Sequence, residues 1–77
     1  FMALADAEVA EIEARPGSKI TSAPVMELKL FREMTLAGLI RDGHGMLVTG
    51  RTQILPGDHV LVFSLSGAIH KVEKLFN

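Results

Sequence analysis

The run Leu55-Pro56-Gly57-Asp58, followed by His59-Val60-Leu61-Val62-Phe63, constrains this chain more than any other feature. Proline presets φ at the second position of a turn and glycine accepts the positive φ of the third, so the tetrapeptide reads as a type II turn. Val60-Leu61-Val62-Phe63 then has no polar alternation, the mark of a strand covered by protein on both faces. Beyond it Ser66 is suited to cap a helix, and Ile69, Val72, Leu75 and Phe76 recur at three-to-four spacing. A short amphipathic helix therefore closes the chain, packing one face on a sheet and leaving Lys71, Glu73 and Lys74 in water. Other segments must supply the rest of that sheet.

Met34 to Arg41 reads as one such strand, with Leu36 and Ile40 on one face and Ala37 and Leu39 on the other, so that both faces touch protein. Asp42-Gly43 is a strong two-residue hairpin signal, because a type I′ turn needs positive φ at both positions. Met46-Leu47-Val48 supplies the returning strand, with Gly45 as a site for a bulge. Upstream, Arg15-Pro16-Gly17-Ser18-Lys19 is a clear break. Thr21 or Ser22 can cap a helix over about 23–30 with Pro24 in its first turn, where a missing amide hydrogen costs nothing, and with Val25, Leu28 and Phe31 on one face. Residues 3–14 stay ambiguous: Ala and Glu favour helix, whereas Glu8, Ala10, Ile12 and Ala14 alternate with Val9, Glu11 and Glu13. Residues 1–6 read as upstream linker or an appended remnant.

A chain of 77 residues makes one domain, 1–77, and buries only about 60% of the surface its unfolded form exposes. Its residues are nonetheless 48% hydrophobic, with a mean hydropathy of +0.31 and four Phe as the sole aromatics. That much aliphatic surface on so small a body points to a homodimer seam. The absence of cysteine removes disulfides and thiolate metal sites. A net charge of −1 leaves no basic footprint for nucleic acid. No apolar run approaches the ~20 residues that span a bilayer, so direct membrane insertion is not expected.

The side chains show no catalytic grouping. Gly43-His44-Gly45 lacks the third glycine and the following helix of a dinucleotide fingerprint, so neither NAD nor ATP is expected here. His44, His59 and His70 contain no pair at the spacing that converges on zinc. Asp42 and Asp58 serve their own turns, and Glu8, Glu11 and Glu13 suggest a solvated strand face. No serine sits in a nucleophile elbow. Met26, Met34 and Met46 fill gaps in a core or pliable interface. Arg41 stands apart, since it ends an apolar strand beside Leu39 and Ile40, where a guanidinium can meet a phosphate or pair with Asp42 or Asp58. Leu39, Ile40 and Arg41 are therefore the candidate effector-binding residues.

From Glu8 to Phe76 the chain resembles the TrkA-C domain, the C-terminal lobe of RCK regulators. The resemblance lies in Pro24 with Leu28, Ile40-Arg41-Asp42-Gly43, Thr49-Gly50, Thr52, Leu55-Pro56-Gly57-Asp58, Val60 to Phe63, and the ending Ala68-Ile69-His70-Lys71-Val72-Glu73-Lys74-Leu75-Phe76. That ending is most like the regulatory subunits of Trk potassium uptake systems. Phe31, Glu33, Val48 and Arg51 depart from the usual pattern, at loops and near any pocket. The resemblance implies that residues 7–14 are a strand. The fold expected is then α+β, a small two-layer domain with strand, helix, three strands and helix around a mainly antiparallel sheet. It further implies a non-enzymatic, cytoplasmic module, dimeric, attached to an N-terminal Rossmann lobe and gating a membrane potassium transporter subunit from the inner face of the membrane. A cyclic dinucleotide is the effector implied at the dimer seam. Similar lobes also regulate proton antiporters. A DNA-binding swapped-hairpin regulator shares the Pro-Gly-Asp turn before an apolar strand, but the basic arms it needs are missing here.

Overall fold

The computed structural model describes Met2, Ala3 and residues 5–77. Strands β1 (Met2–Ala3), β2 (Ala7–Glu13), β3 (Met34–Arg41), β4 (His44–Leu47) and β5 (His59–Leu65) form one antiparallel sheet in the order β1-β2-β5-β3-β4, and helix α1 (Ile69–Phe76) follows the last strand. The α+β class and the antiparallel sheet are as expected. β5 lies at the centre because it is the strand with the longest apolar run, flanked by β2 and β3 over nearly its whole length. The expectation of linker over residues 1–6 falls partly on Phe1 and Leu4, which lie outside the described residues; Met2 and Ala3 pair with Val9 and Glu8 instead.

Three turns form as their residues dictate. Asp42 and Gly43 take φ of 51° and 80°, joining β3 to β4. Gly57 sits at φ 90° in a turn closed by the Asp58 amide on the Leu55 carbonyl at 3.0 Å. The Ser18 amide closes the Arg15 turn in the same way at 3.2 Å.

The helix expected over 23–30 is replaced by a single 3-10 turn, Val25–Glu27, preceded by another at Lys19–Thr21. Pro24 is extended, with ψ 147°, and its carbonyl accepts from Glu27. The Val25 and Met26 amides, which a longer helix would leave to water, donate to the carbonyls of Thr52 and Gly50 at 3.0 and 2.9 Å. Lys29 then turns left-handed at φ 52° and ends the segment. Ser22 caps nothing: its hydroxyl donates back to the Lys19 carbonyl. Ser66 likewise does not cap α1, whose first turn starts at Ala68 after a turn in which the Ala68 amide reaches the Leu65 carbonyl.

The sheet face under α1 carries the core. Leu36, Leu39, Val60 and Val62 pack there with Ala14, Ile20, Leu28, Met34, Ile54, Val72 and Phe76. Leu36 and Leu39 reach that face together because β3 carries a bulge: Leu36 pairs with Val62 and Gly38 with Leu61, leaving Ala37 as the extra residue. The alternation that set Leu36 with Ile40 is thereby broken, and Ile40 turns outward. The bulge lies here and not at Gly45, which pairs in register with Ile40. Gly38 is required where it stands, since a Cβ there would lie 2.9 Å from the Met46 carbonyl oxygen.

Candidate functional site

Arg41, at the end of β3, and Asp58, at the start of β5, are 17 residues apart in sequence and meet as a two-pronged ion pair. Arg41 Nε donates to Asp58 Oδ1 at 2.8 Å and Nη2 to Oδ2 at 2.6 Å, while the same Nη2 reaches the Gln53 carbonyl at 3.0 Å. Asp58 Oδ2 also accepts from the Leu55 amide at 2.8 Å, and Gln53 Nε2 donates to the Thr21 carbonyl at 2.8 Å. The Asp58 carboxylate thus ties the strand end to the Pro-Gly turn, and Arg41 and Gln53 carry the network on to the first 3-10 turn. The hydrogen bonds from Arg41 hold the Asp58 carboxyl below its ordinary range against the opposing effect of burial, with the Leu55 amide adding to them. The guanidinium is raised in turn by its bonds to Asp58, burial opposing. An acid this strongly committed to its ionised form is a clamp and a poor proton shuttle.

The three candidate effector residues do not share a face. The Leu39 side chain is 1% exposed within the core. Ile40 lies on the opposite face, 36% exposed. Arg41 returns to the core side, with its side chain 28% exposed and Nη1 making no hydrogen bond among the described residues. A shallow groove of about 300 Å³ runs over the β3–β4 ribbon, lined by Gly38, Leu39, Ile40, Gly45, Leu47 and Leu61. Arg41 is not part of its lining. Gly38 and Gly45, lacking side chains, open the groove, a pattern that no spacing rule in the sequence announces.

The groove belongs to a larger feature, the sheet face that α1 does not cover. Side-chain alternation places Ile40, Leu47, Leu61, Phe63 and Leu65 on it. Leu47 is 83% exposed and Leu65 48%. β5 therefore is not covered on both sides as its unbroken apolar run suggested; its outer side chains are open. Glu11, Glu13 and His59 share the same face toward the β2 side.

Other side chains singled out in the sequence stay apart. His59 Nδ1 lies 2.9 Å from Glu11 Oε2 on the outer face, and His70 pairs with Glu73 one turn along α1. Among the described residues no three His, Cys, Asp or Glu side chains converge on a metal position, and no helix is long and apolar enough to cross a membrane. Glu8 lies on the α1 side of β2 while Glu11 and Glu13 lie on the outer side, so they do not make one solvated face.

A small antiparallel sheet with a closing helix on one face, a clamped Pro-Gly-Asp turn and an open apolar face on the other defines a two-layer α+β domain. Compared with known families, residues 9–77 match the TrkA-C domain, and the chain belongs to that family. It is 34% identical over 70 residues, 91% of its length, to the Trk system potassium uptake protein TrkA homolog 2 of Methanosarcina mazei. It is 32% identical over 69 residues, 90% of its length, to the Trk system potassium uptake protein TrkA of Azorhizobium caulinodans. The aligned regions are 16% and 15% of those two proteins, so the chain spans about a sixth of their length.

Proposed function

We propose that this domain is a regulatory and assembly module of a Trk-type potassium uptake system, non-catalytic, and that it pairs with a second copy through its open sheet face. The observation that carries the reading is the uncovered row Ile40, Leu47, Phe63 and Leu65 opposite a helix-covered core. A two-fold pairing of that row with itself would remove apolar surface from water at roughly 25 cal/mol per Å². In the longer protein the partners are a nucleotide-binding lobe upstream and a membrane transport subunit, with the module acting at the cytoplasmic side. An anionic effector of the cyclic-dinucleotide class would take the groove beside Ile40 at the seam, where Arg41, on the other side of the sheet and held by Asp58, would not line it.

Light scattering across micromolar concentrations is expected to give twice the chain mass of 8.3 kDa. Phe63→Ser combined with Leu47→Ser is expected to give the single mass with unchanged circular dichroism, because both side chains are exposed in the single chain. A wild-type chain that is monomeric throughout overturns the pairing. Titration with a cyclic dinucleotide tests the effector separately, and a flat titration leaves assembly as the role.

A further inference from the structure

Charge is sorted by side in this fold. On the flank of α1 that faces β2, His70 and Glu73 share a cleft of about 700 Å³ with Glu8, Glu11 and Glu13, and no Lys or Arg lines it. Lys71 and Lys74, three residues apart and therefore on a common strip of the helix, lie outside that cleft. Lys71 Nζ stands 4.6 Å from the centre of the Phe31 ring. Phe31 is half-buried, and the exposed Lys29 and Arg32 precede and follow it closely in the chain. Four cations thus gather around one aromatic ring in a chain whose net charge is −1. Among the described residues none of the four lies within ion-pair distance of a carboxylate, although Glu27 and Glu33 bound the same stretch.

Two local preferences of the chain are overridden here. Lys29 holds a positive φ of 52°, a conformation that a Cβ disfavours and that glycine accepts freely. Lys71 stands in the first turn of α1, at the positive end of the helix dipole, with no acidic residue in that turn. The Phe31 ring offsets part of that cost. Glycine would serve the turn better and an acid would serve the helix start better, so the fold by itself does not ask for either cation. Departures of this kind concentrate where a surface serves something other than folding. The four cations line neither the cleft beside β2 nor the groove over β3 and β4, so they present charge on open surface.

We propose that the surface formed by Lys29, Phe31, Arg32, Lys71 and Lys74 docks on the anionic headgroups of the cytoplasmic leaflet and so orients the domain beneath the membrane. The proposal rests on the role in a potassium uptake system, which sets the domain beside a membrane. Two surfaces are then within reach, the cytoplasmic segments of the transport subunit and the lipid around it. Those segments collect Lys and Arg and would repel the patch, whereas the leaflet carries the opposite charge and attracts it. An aromatic ring among cations also suits the headgroup boundary. Pairing through the open sheet face leaves this surface free, because the patch lies on the α1 side of the sheet. The attraction of each charge is small and screened by salt, so the patch orients a domain that its transport subunit already holds nearby.

Co-sedimentation with vesicles made of equal parts of phosphatidylserine and phosphatidylcholine tests the docking. The chain is expected to sediment with them at low salt, to be released as salt rises, and to ignore vesicles of phosphatidylcholine alone. Arg32→Gln/Lys71→Gln is expected to weaken binding by about tenfold or more. Adding Glu11→Gln/Glu13→Gln to that variant restores the net charge of −1 but not the patch, so binding should stay lost. Lys29→Gly relieves the positive φ, so its thermal midpoint should not fall while its vesicle binding does, which separates a lost contact from a folding defect. No sedimentation of the wild type, recovery of binding with the restored net charge, or equal binding to neutral vesicles would each overturn the proposal. Tighter capture by a polyglutamate peptide than by the vesicles would overturn it in favour of an acidic protein partner, and displacement by inorganic phosphate too dilute to screen charge would do so in favour of a discrete anion site. Phe63→Ser/Leu47→Ser is expected to lose the dimer and keep the vesicles; loss of both would move the membrane contact to the open face and overturn the proposal. A chain that forms the dimer without binding vesicles leaves the pairing standing and removes only the docking.

Discussion

Asp58 is 2% exposed and carries a full charge, which is tolerable because Arg41 and the Leu55 amide together occupy both its oxygens. Asp58→Asn keeps the shape, removes the charge and leaves the guanidinium facing a neutral amide. The expected loss is roughly 2 kcal/mol, the scale of a hydrogen bond to a charged group. Because the folded-state pKa of Asp58 is lowered, its contribution is complete above the ordinary carboxyl value of about 3.9 and fades as pH falls through the folded value. The stability gap between wild type and Asp58→Asn should therefore narrow as urea unfolding is repeated from about pH 5 down to about pH 2. A gap that stays constant or widens on acidification would mean that the clamp is not what stabilises the turn. The pairing itself was legible only as an option, since adjacency along the chain favoured Asp42 as much as Asp58. What decides it is that the β3–β5 register sets Ile40 opposite His59, so the next residue of one strand lies beside the preceding residue of the other.

Gly38 shows the same dependence on register at the level of an element. β4 approaches β3 so closely there that an alanine methyl would sit 2.9 Å from the Met46 carbonyl oxygen. Gly38→Ala is expected to push β4 outward and cost about 1–3 kcal/mol, the usual range for overpacking. Gly45→Ala, where a Cβ meets nothing within 4 Å, is the control and should cost far less. Equal losses in denaturant titrations, with equal slopes, would refute the close approach as the cause. β3, β4, β5, their turns and α1 were legible in the sequence because each is set by local chemistry: apolar runs, Asp-Gly, Pro-Gly, helical spacing; β1, within residues read as linker, was not. The strand nature of residues 7–13 came from family resemblance, as Ala and Glu spoke for helix. The segment 19–28 was not legible, because the Val25 and Met26 amides are claimed by Thr52 and Gly50, carbonyls from more than twenty residues away. The bulge at Ala37 was hidden for a related reason: only pairing with β5 reveals an extra residue, and it is that residue which sends Leu39 inward and Ile40 outward.

At the scale of the whole molecule the fold divides into a finished side and an unfinished one. α1, the 3-10 turns and the 48–58 loop close the core around Phe76, Val72, Ile54 and Ile20, all 0% exposed. The other side of the same sheet ends in leucine, isoleucine and phenylalanine side chains open to water. A chain of this size has a thin core, so covering the second side should add measurably to its stability. If a second copy supplies that cover, folding and association are linked by mass action and the thermal midpoint must depend on protein concentration. The midpoint of the wild-type chain is therefore expected to rise with each tenfold increase in concentration, while that of Phe63→Ser/Leu47→Ser stays fixed. The double variant also removes exposed apolar groups without opening a cavity, so at the lowest concentrations, where both chains are monomeric, the two midpoints should converge. A concentration-independent wild type would show that the open face is stable in water by itself and that its partner is something other than this chain.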